Sequence, residues 1–382
     1  MIGGKREKWI FVLLLGLGLL SVAADSQYKS VEITGDWAHK PVGLTDKDIA
    51  WKNFTGFFEN EHVFMLARLD EGYWFVGMIF TFKYGPQRRW GLYALAADDS
   101  GRRWFAKREI KPEEVKLSYE KLSWRSGNTW VEGSYPVYTM HIEEPNLGAH
   151  LEFKSRVKGW QSGRWFLTPD HKTFGECFII APWADVSGKL VLDGKTIPVH
   201  GLGYSDRYHG NLRFDQTDPL FYSVRAIKPM PGSEDVNIQA SYDHLSPSFG
   251  KLTVPGLFII QPDRLEVGTM KVIIRGENAS IDPKVGYAFP RKLVVDAAEG
   301  DFSLHGVFVA DRSIEVLDIF KQLPAYIRAI AELFWKRPVY SKWEGRFRGS
   351  YKIGSQEKRF DLLAIAEINY TGSINLKDGE DF

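Results

Sequence analysis

The run Tyr204-Ser205-Asp206-Arg207-Tyr208-His209 places a carboxyl, a guanidinium, an imidazole and two phenols within a few positions. Burial in an apolar pocket raises the pKa of a carboxylic acid and keeps it neutral, so that it still holds a proton to deliver to carbon. Asp206 is the first candidate for that work. Glu367, alone among apolar residues near the end of the chain, is the second. His209 is of the type that activates a water. Aromatic faces stabilise a developing cation, and Tyr204, Trp74, Trp183, Trp90 and Trp104 are the candidates.

Each of these residues also has a plainer reading. Asp206 and Arg207 can form a structural ion pair, since perturbed carboxylates are often structural. His209 can be satisfied by a neighbouring carbonyl. Glu367 in an apolar strand is costly unless paired, and an arginine partner would serve as well as a reaction. Most of the aromatics can be ordinary core.

Other chemistry is not encoded. There is no Gly-rich phosphate loop, no His pair at helical spacing and no nucleophile elbow. His141, His150 and His171 lack metal-like spacing, so no metal or other cofactor is expected. A net charge of +1 gives no basis for nucleic-acid binding. The single cysteine, Cys177, excludes an intramolecular disulfide and, between Glu176 and Phe178, reads as core.

The elements that must position these groups are strands. The chain carries 13 Trp, 16 Tyr, 25 Phe and 36 Gly, a composition suited to curved sheets around an apolar ligand. Ala149 to Lys158 alternates apolar and charged residues, as a strand with one wet face does. Tyr73 to Tyr84 is apolar on both faces, so one side meets core and the other a cavity or second layer. Asp193-Gly194 is a type I′ hairpin turn. Asp98 to Gly101 and Ser126 to Asn128 punctuate further strand pairs. Short strands at this spacing describe a barrel or sandwich.

The pattern restarts after Asp215-Gln216-Thr217-Asp218-Pro219, which gives domains at 25–218 and 219–375 and a polar tail at 376–382. Ile314 to Trp335 reads as one helix, amphipathic and interrupted at Pro324. It would pack on its own barrel or, with Lys321, Arg328, Lys336 and Arg337, lie on a membrane surface. Residues 1–24 read as a secretory signal. Lys5, Arg6 and Lys8 precede the apolar Trp9–Leu20, and Ser21, Ala23 and Ala24 follow. A periplasmic or secreted location is therefore expected.

The segment FGECFIIAPWADVSGKLVLDGKTIPVHGLGYSDRYHGN, from Phe174 to Asn211, resembles the centre of the lipocalin-like AttH and hydroxyneurosporene synthase (carotenoid hydratase) family. Gly188, Leu190 and Gly194 match its G-x-L-x-x-x-G pair of strands. Val199, Gly201, Tyr204, Asp206 and Gly210 match the pattern that follows. Trp74 and the closing Glu367 and Tyr370 resemble its outer strands. The resemblance implies an all-β fold of two tandem lipocalin-like barrels, with the late helix before a closing strand. It also implies a lipid or terpenoid ligand, and hydration, cyclisation or isomerisation of such a molecule as the alternative to carriage. Arg207 stands where the family has His, and a guanidinium cannot shuttle a proton at ordinary pH. That departure favours binding over catalysis, with Arg207 as a ligand contact.

Overall fold

The computed structural model describes residues 32–34, 42–168, 170–211, 220–245, 253–322, 328–329, 332 and 337–370. The expected signal at 1–24, the boundary at Asp215–Pro219 and the tail at 376–382 lie outside them. The chain forms two compact units, one of Glu32–Leu212 with Ile259–Gly268 and the other mainly of Arg213–Phe258 with Thr269–Phe382. The nine-stranded sheet belongs mainly to the latter.

The first unit is one antiparallel sheet. Its strands are β1 (Glu32–Thr34), β2 (Val42–Gly43), β3 (Phe58–Leu69), β4 (Tyr73–Tyr84), β5 (Gln87–Asp98), β6 (Arg103–Ile110) and β7 (Lys116–Leu117). There follow β8 (Leu122–Ser126), β9 (Thr129–Ser134), β10 (Val137–Glu143), β11 (Leu147–Ser155), β12 (Trp160–Phe166), β13 (Phe174–Leu192) and β14 (Lys195–Gly210). The order is β6-β5-β4-β3-β14-β13-β11-β10-β9-β8-β7, with β12 pairing β13 and carrying β1 and β2. The sheet curls so that β11 approaches β5 and β6.

One apolar core fills the curl. Val63, Met65, Phe75, Ile79, Trp90, Trp124, Met140, Leu151 and Phe178 all belong to it. β4 covers the expected Tyr73–Tyr84, and both its faces are buried: Phe75 and Ile79 inward, Trp74 and Val76 outward. The β13–β14 hairpin turns at Asp193 and Gly194 with φ of 50° and 75°, as a type I′ turn requires. Pro182, which has no N–H for the ladder, lies where β13 bulges against β14 between Ala181 and Ala184. Cys177 is half-buried opposite Tyr208, on the other face from the buried Glu176 and Phe178, so it is not a core residue.

The second unit is also antiparallel. Its strands are β15 (Leu220–Pro229), β16 (Asn237–His244), β17 (Thr253–Gln261), β18 (Arg264–Thr269) and β19 (Val272–Asp282). They continue with β20 (Tyr287–Glu299), β21 (Phe302–Asp318), β22 (Val339–Ile353) and β23 (Gln356–Tyr370). The order is β18-β17-β16-β15-β23-β22-β21-β20-β19, and β16 also approaches β19, as in a closing barrel. Tyr222, Phe289, Trp343, Phe347 and Tyr370 are buried, with Phe289 against both Trp343 and Tyr370.

The helix expected from Ile314 begins instead as strand. Val316, Leu317 and Asp318 pair with Ser341, Tyr340 and Val339, and a single 3-10 turn follows at Phe320–Gln322. β-branched Ile314 and Val316 suit a pleated ladder, and the partner strand overrides helical spacing there. Most of 323–336 lies outside the described residues.

Candidate functional site

Strand β14 carries the candidate residues on two opposite faces. Arg207 pairs with Val63 and Phe178, and His209 with Glu61 and Glu176. Directly opposed residues in antiparallel strands share a face. Because Val63 and Phe178 are core, Arg207 and His209 point into the barrel. Tyr204 and Asp206 pair with Leu66 and Phe64 and point outward.

On the inward face His209 lies between two carboxylates. Its Nδ1 is 2.9 Å from Glu176 Oε1 and its Nε2 is 3.3 Å from Glu59 Oε2. A carboxylate accepts, and the ring N–H of His209 donates to it. Glu176 Oε2 also accepts Arg164 Nε at 2.8 Å and Nη2 at 2.6 Å. Burial pushes the Glu176 carboxyl up, but the bonds from His209 and Arg164 outweigh it and hold it below the ordinary value. Glu59 shows the same balance, with His209 and the Gly56 amide opposing burial. Phe54 stacks on the imidazole at 5.8 Å and Phe174 meets it edge-on at 5.2 Å.

This cluster borders a cavity of about 850 Å³, whose other lining residues include Lys52, Lys172, Phe178 and Asn211. Lys52 Nζ donates to the Asp48 carbonyl at 3.0 Å, and burial with the nearby Arg207 lowers its pKa to about 8. Deeper still, Arg207 is fully buried and ion-paired to Glu61, with Nη1 donating to the Asp48 carbonyl at 3.1 Å. Its guanidinium lies 5.9 Å from the Trp51 ring and 5.5 Å from that of Phe178. The arrangement can hold a proton at His209 beside open volume and can face an anionic or polar group with Lys52 and Arg164.

On the outward face Tyr204 Oη donates to Asp206 Oδ2 at 2.8 Å, and His62 Nε2 stands 3.7 Å from Asp206 Oδ1. Trp74 shares this face one strand beyond β3, beneath Arg68 at 5.5 Å. Trp183 is buried under the Arg156 guanidinium at 4.6 Å. Trp90 packs in the core 4.9 Å from Trp51 and 5.9 Å from Trp124. Trp104 is near the hairpin tip, its Nε1 donating to Asp193 at 2.8 Å. Glu367 belongs to the second unit, where it is paired with Arg225 and, at 3.2 Å, with Lys342.

The structure therefore joins Arg207 with His209, and Tyr204 with Asp206, and disperses the other candidates. Sequence reasoning did not single out Glu59, Glu61, Arg164 or Lys52. Glu176 carried the signal that exposed Glu367: a lone carboxylate in an apolar run, Phe174 to Ile180. Among the described residues no group of three or more His, Cys, Asp or Glu side chains is placed to hold a metal ion.

No family model matches the sequence, and no curated protein matches it. Solved structures do match. A Nitrosomonas europaea protein assigned as an AttH superposes with a TM-score of 0.58 at 13% identity, covering 87% of this chain and 98% of its own. CghA solved with Sch210972 gives 0.56 at 11%, covering 85% and 90%. Kievitone hydratase from Nectria haematococca gives 0.53 at 12%, covering 91% and 98%. The chain has the lipocalin-like, all-β fold of these proteins.

Proposed function

From that shared fold, we propose that this chain is an exported protein that binds a small organic molecule with an apolar body, of lipid or terpenoid type, and a polar head. The head sits in the cavity at the end of the first barrel, facing Lys52 and Arg164, with Phe174 and Phe178 against the body. The observation that carries this reading is the cavity of about 850 Å³ beside His209, lined by charged and polar side chains together with Phe174 and Phe178. The barrel interior is filled by Trp51, Trp90 and Trp124, so the ligand occupies the end of the barrel and not its axis.

A second reading is favoured by His209 itself. An imidazole fixed by Glu176 beside open volume is placed for general acid–base work, and kievitone hydratase shares the fold. Hydration adds a proton to one carbon of a double bond and the hydroxyl of water to the other; His209 would deliver the first proton and take up the one that the attacking water releases.

Native mass spectrometry with organic extraction of protein from its own host tests the first reading. A co-purifying molecule that is lost from Arg164→Gln, with folding intact, supports it. An empty protein that also takes up no fatty acid or terpenoid alcohol in titration ends it. Conversion of the extracted molecule by wild type and not by His209→Gln establishes the second.

A further inference from the structure

A second cluster lies on the outward face of the first barrel, away from the cavity. His141 on β10 is the cross-strand partner of both Trp130 on β9 and His150 on β11. All three are half-buried. His141 Nδ1 and His150 Nδ1 are 3.1 Å apart, with the rings inclined at 67°. The Trp130 indole stacks on His141 at 5.6 Å and meets His150 edge-on at 5.9 Å.

We propose that His141 and His150 form a surface site for a divalent transition metal of the copper, nickel or zinc class. A metal held at about 2.0–2.1 Å by two imidazole nitrogens needs them about 3.4 Å apart in tetrahedral geometry, or about 2.9 Å apart at a right angle. The 3.1 Å separation falls between these. Two neutral imidazoles can share only one proton at that contact, whereas a metal satisfies both lone pairs. Imidazole is the ligand that these metals favour.

The groups facing the pair are mixed in charge. Lys189 is directly opposite His150, Arg125 is 5.4 Å from the Trp130 ring, and Glu143 follows on the face of His141. Two protein ligands leave water to complete the sphere. Trp130 supports the His141 ring from one side.

The test uses the full chain and copper(II) chloride alone. One equivalent should bind, with electron paramagnetic resonance reporting two imidazole nitrogens. His141→Gln and His150→Gln should each weaken binding by at least about tenfold, as the loss of one of two ligands implies. Trp130→Phe should keep the nitrogen count. A wild-type spectrum with fewer than two nitrogens overturns the proposal without recourse to variants. So does an unchanged midpoint in the doubly substituted protein.

Discussion

Asp206 and His209, neighbours on β14, face opposite sides of the first sheet: Asp206 lies opposite Phe64 on the outer face, and His209 opposite Glu61 on the inner. They cannot serve one reacting atom as acid and water-activating base. Asp206 works with Tyr204 and His62, while His209 works with Glu176 and Glu59 beside the cavity.

That separation predicts different phenotypes. His209→Gln should weaken capture of the cavity ligand by about tenfold, roughly 1.4 kcal/mol for one charge-assisted bond lost. Asp206→Asn should leave it within about twofold. Equilibrium binding of the extracted ligand to both variants checks this. Equal losses would mean that the ligand also depends on the outer face.

Acid should act on the cavity through Glu176. Its carboxyl sits below its ordinary 4.5 in the folded chain. The stabilisation is complete above the unfolded value and is lost as pH falls through the folded one. Urea midpoints of wild type should therefore decline below about pH 4.5, and those of Glu176→Gln should decline less. The variant should also lose about 1–3 kcal/mol at neutral pH, because Arg164 and His209 lose a charged acceptor.

Arg207 and Glu61 form a buried ion pair, and removing Arg207 leaves Glu61 with the more distant Arg88, 3.8 Å away, as its cation. Arg207→Met should cost about 3–5 kcal/mol, and Arg207→Met with Glu61→Leu markedly less than the two single losses together. A double-mutant cycle by denaturant unfolding measures this. Additive losses would show that the two side chains do not interact.

The strands were legible because their signals are local. Tyr73–Tyr84 and the Asp193-Gly194 turn follow from alternation and turn chemistry alone. The motif glycines read clearly as a pattern, but their reason is spatial. Gly188 has φ 146°, and a Cβ there would stand 1.9 Å from the His150 carbonyl oxygen. The partners of His209 were not legible, since Glu59 is 150 positions away and Glu176 is 33. Strand register alone brings them together. The facing of His141 and His150 was hidden for the same reason: their spacing suits no helix, only a hairpin. The late helix failed at its start because helical spacing from Leu317 ignored the pairing of β21 with β22.

Glu367 gives the last prediction. Burial alone would raise its pKa, but Arg225 and Lys342 outweigh burial and hold it at about 2. Lys342 Nζ also lies 3.7 Å from Glu315 Oε2, so the ladder crosses β15, β23, β22 and β21. A carboxylate held ionised at neutral pH has no proton to donate, which makes this group structural in its effect. The sign follows: its stabilisation is present above the ordinary carboxylate value and fades as pH falls towards about 2. Glu367→Gln should lower stability by about 3–5 kcal/mol at neutral pH, because Arg225 and Lys342 both lose a buried carboxylate partner, and should flatten the acid limb of the stability curve. Ligand binding by the folded variant should be unchanged. A variant as stable as wild type, yet unable to bind or turn over ligand, would move Glu367 from scaffold to site.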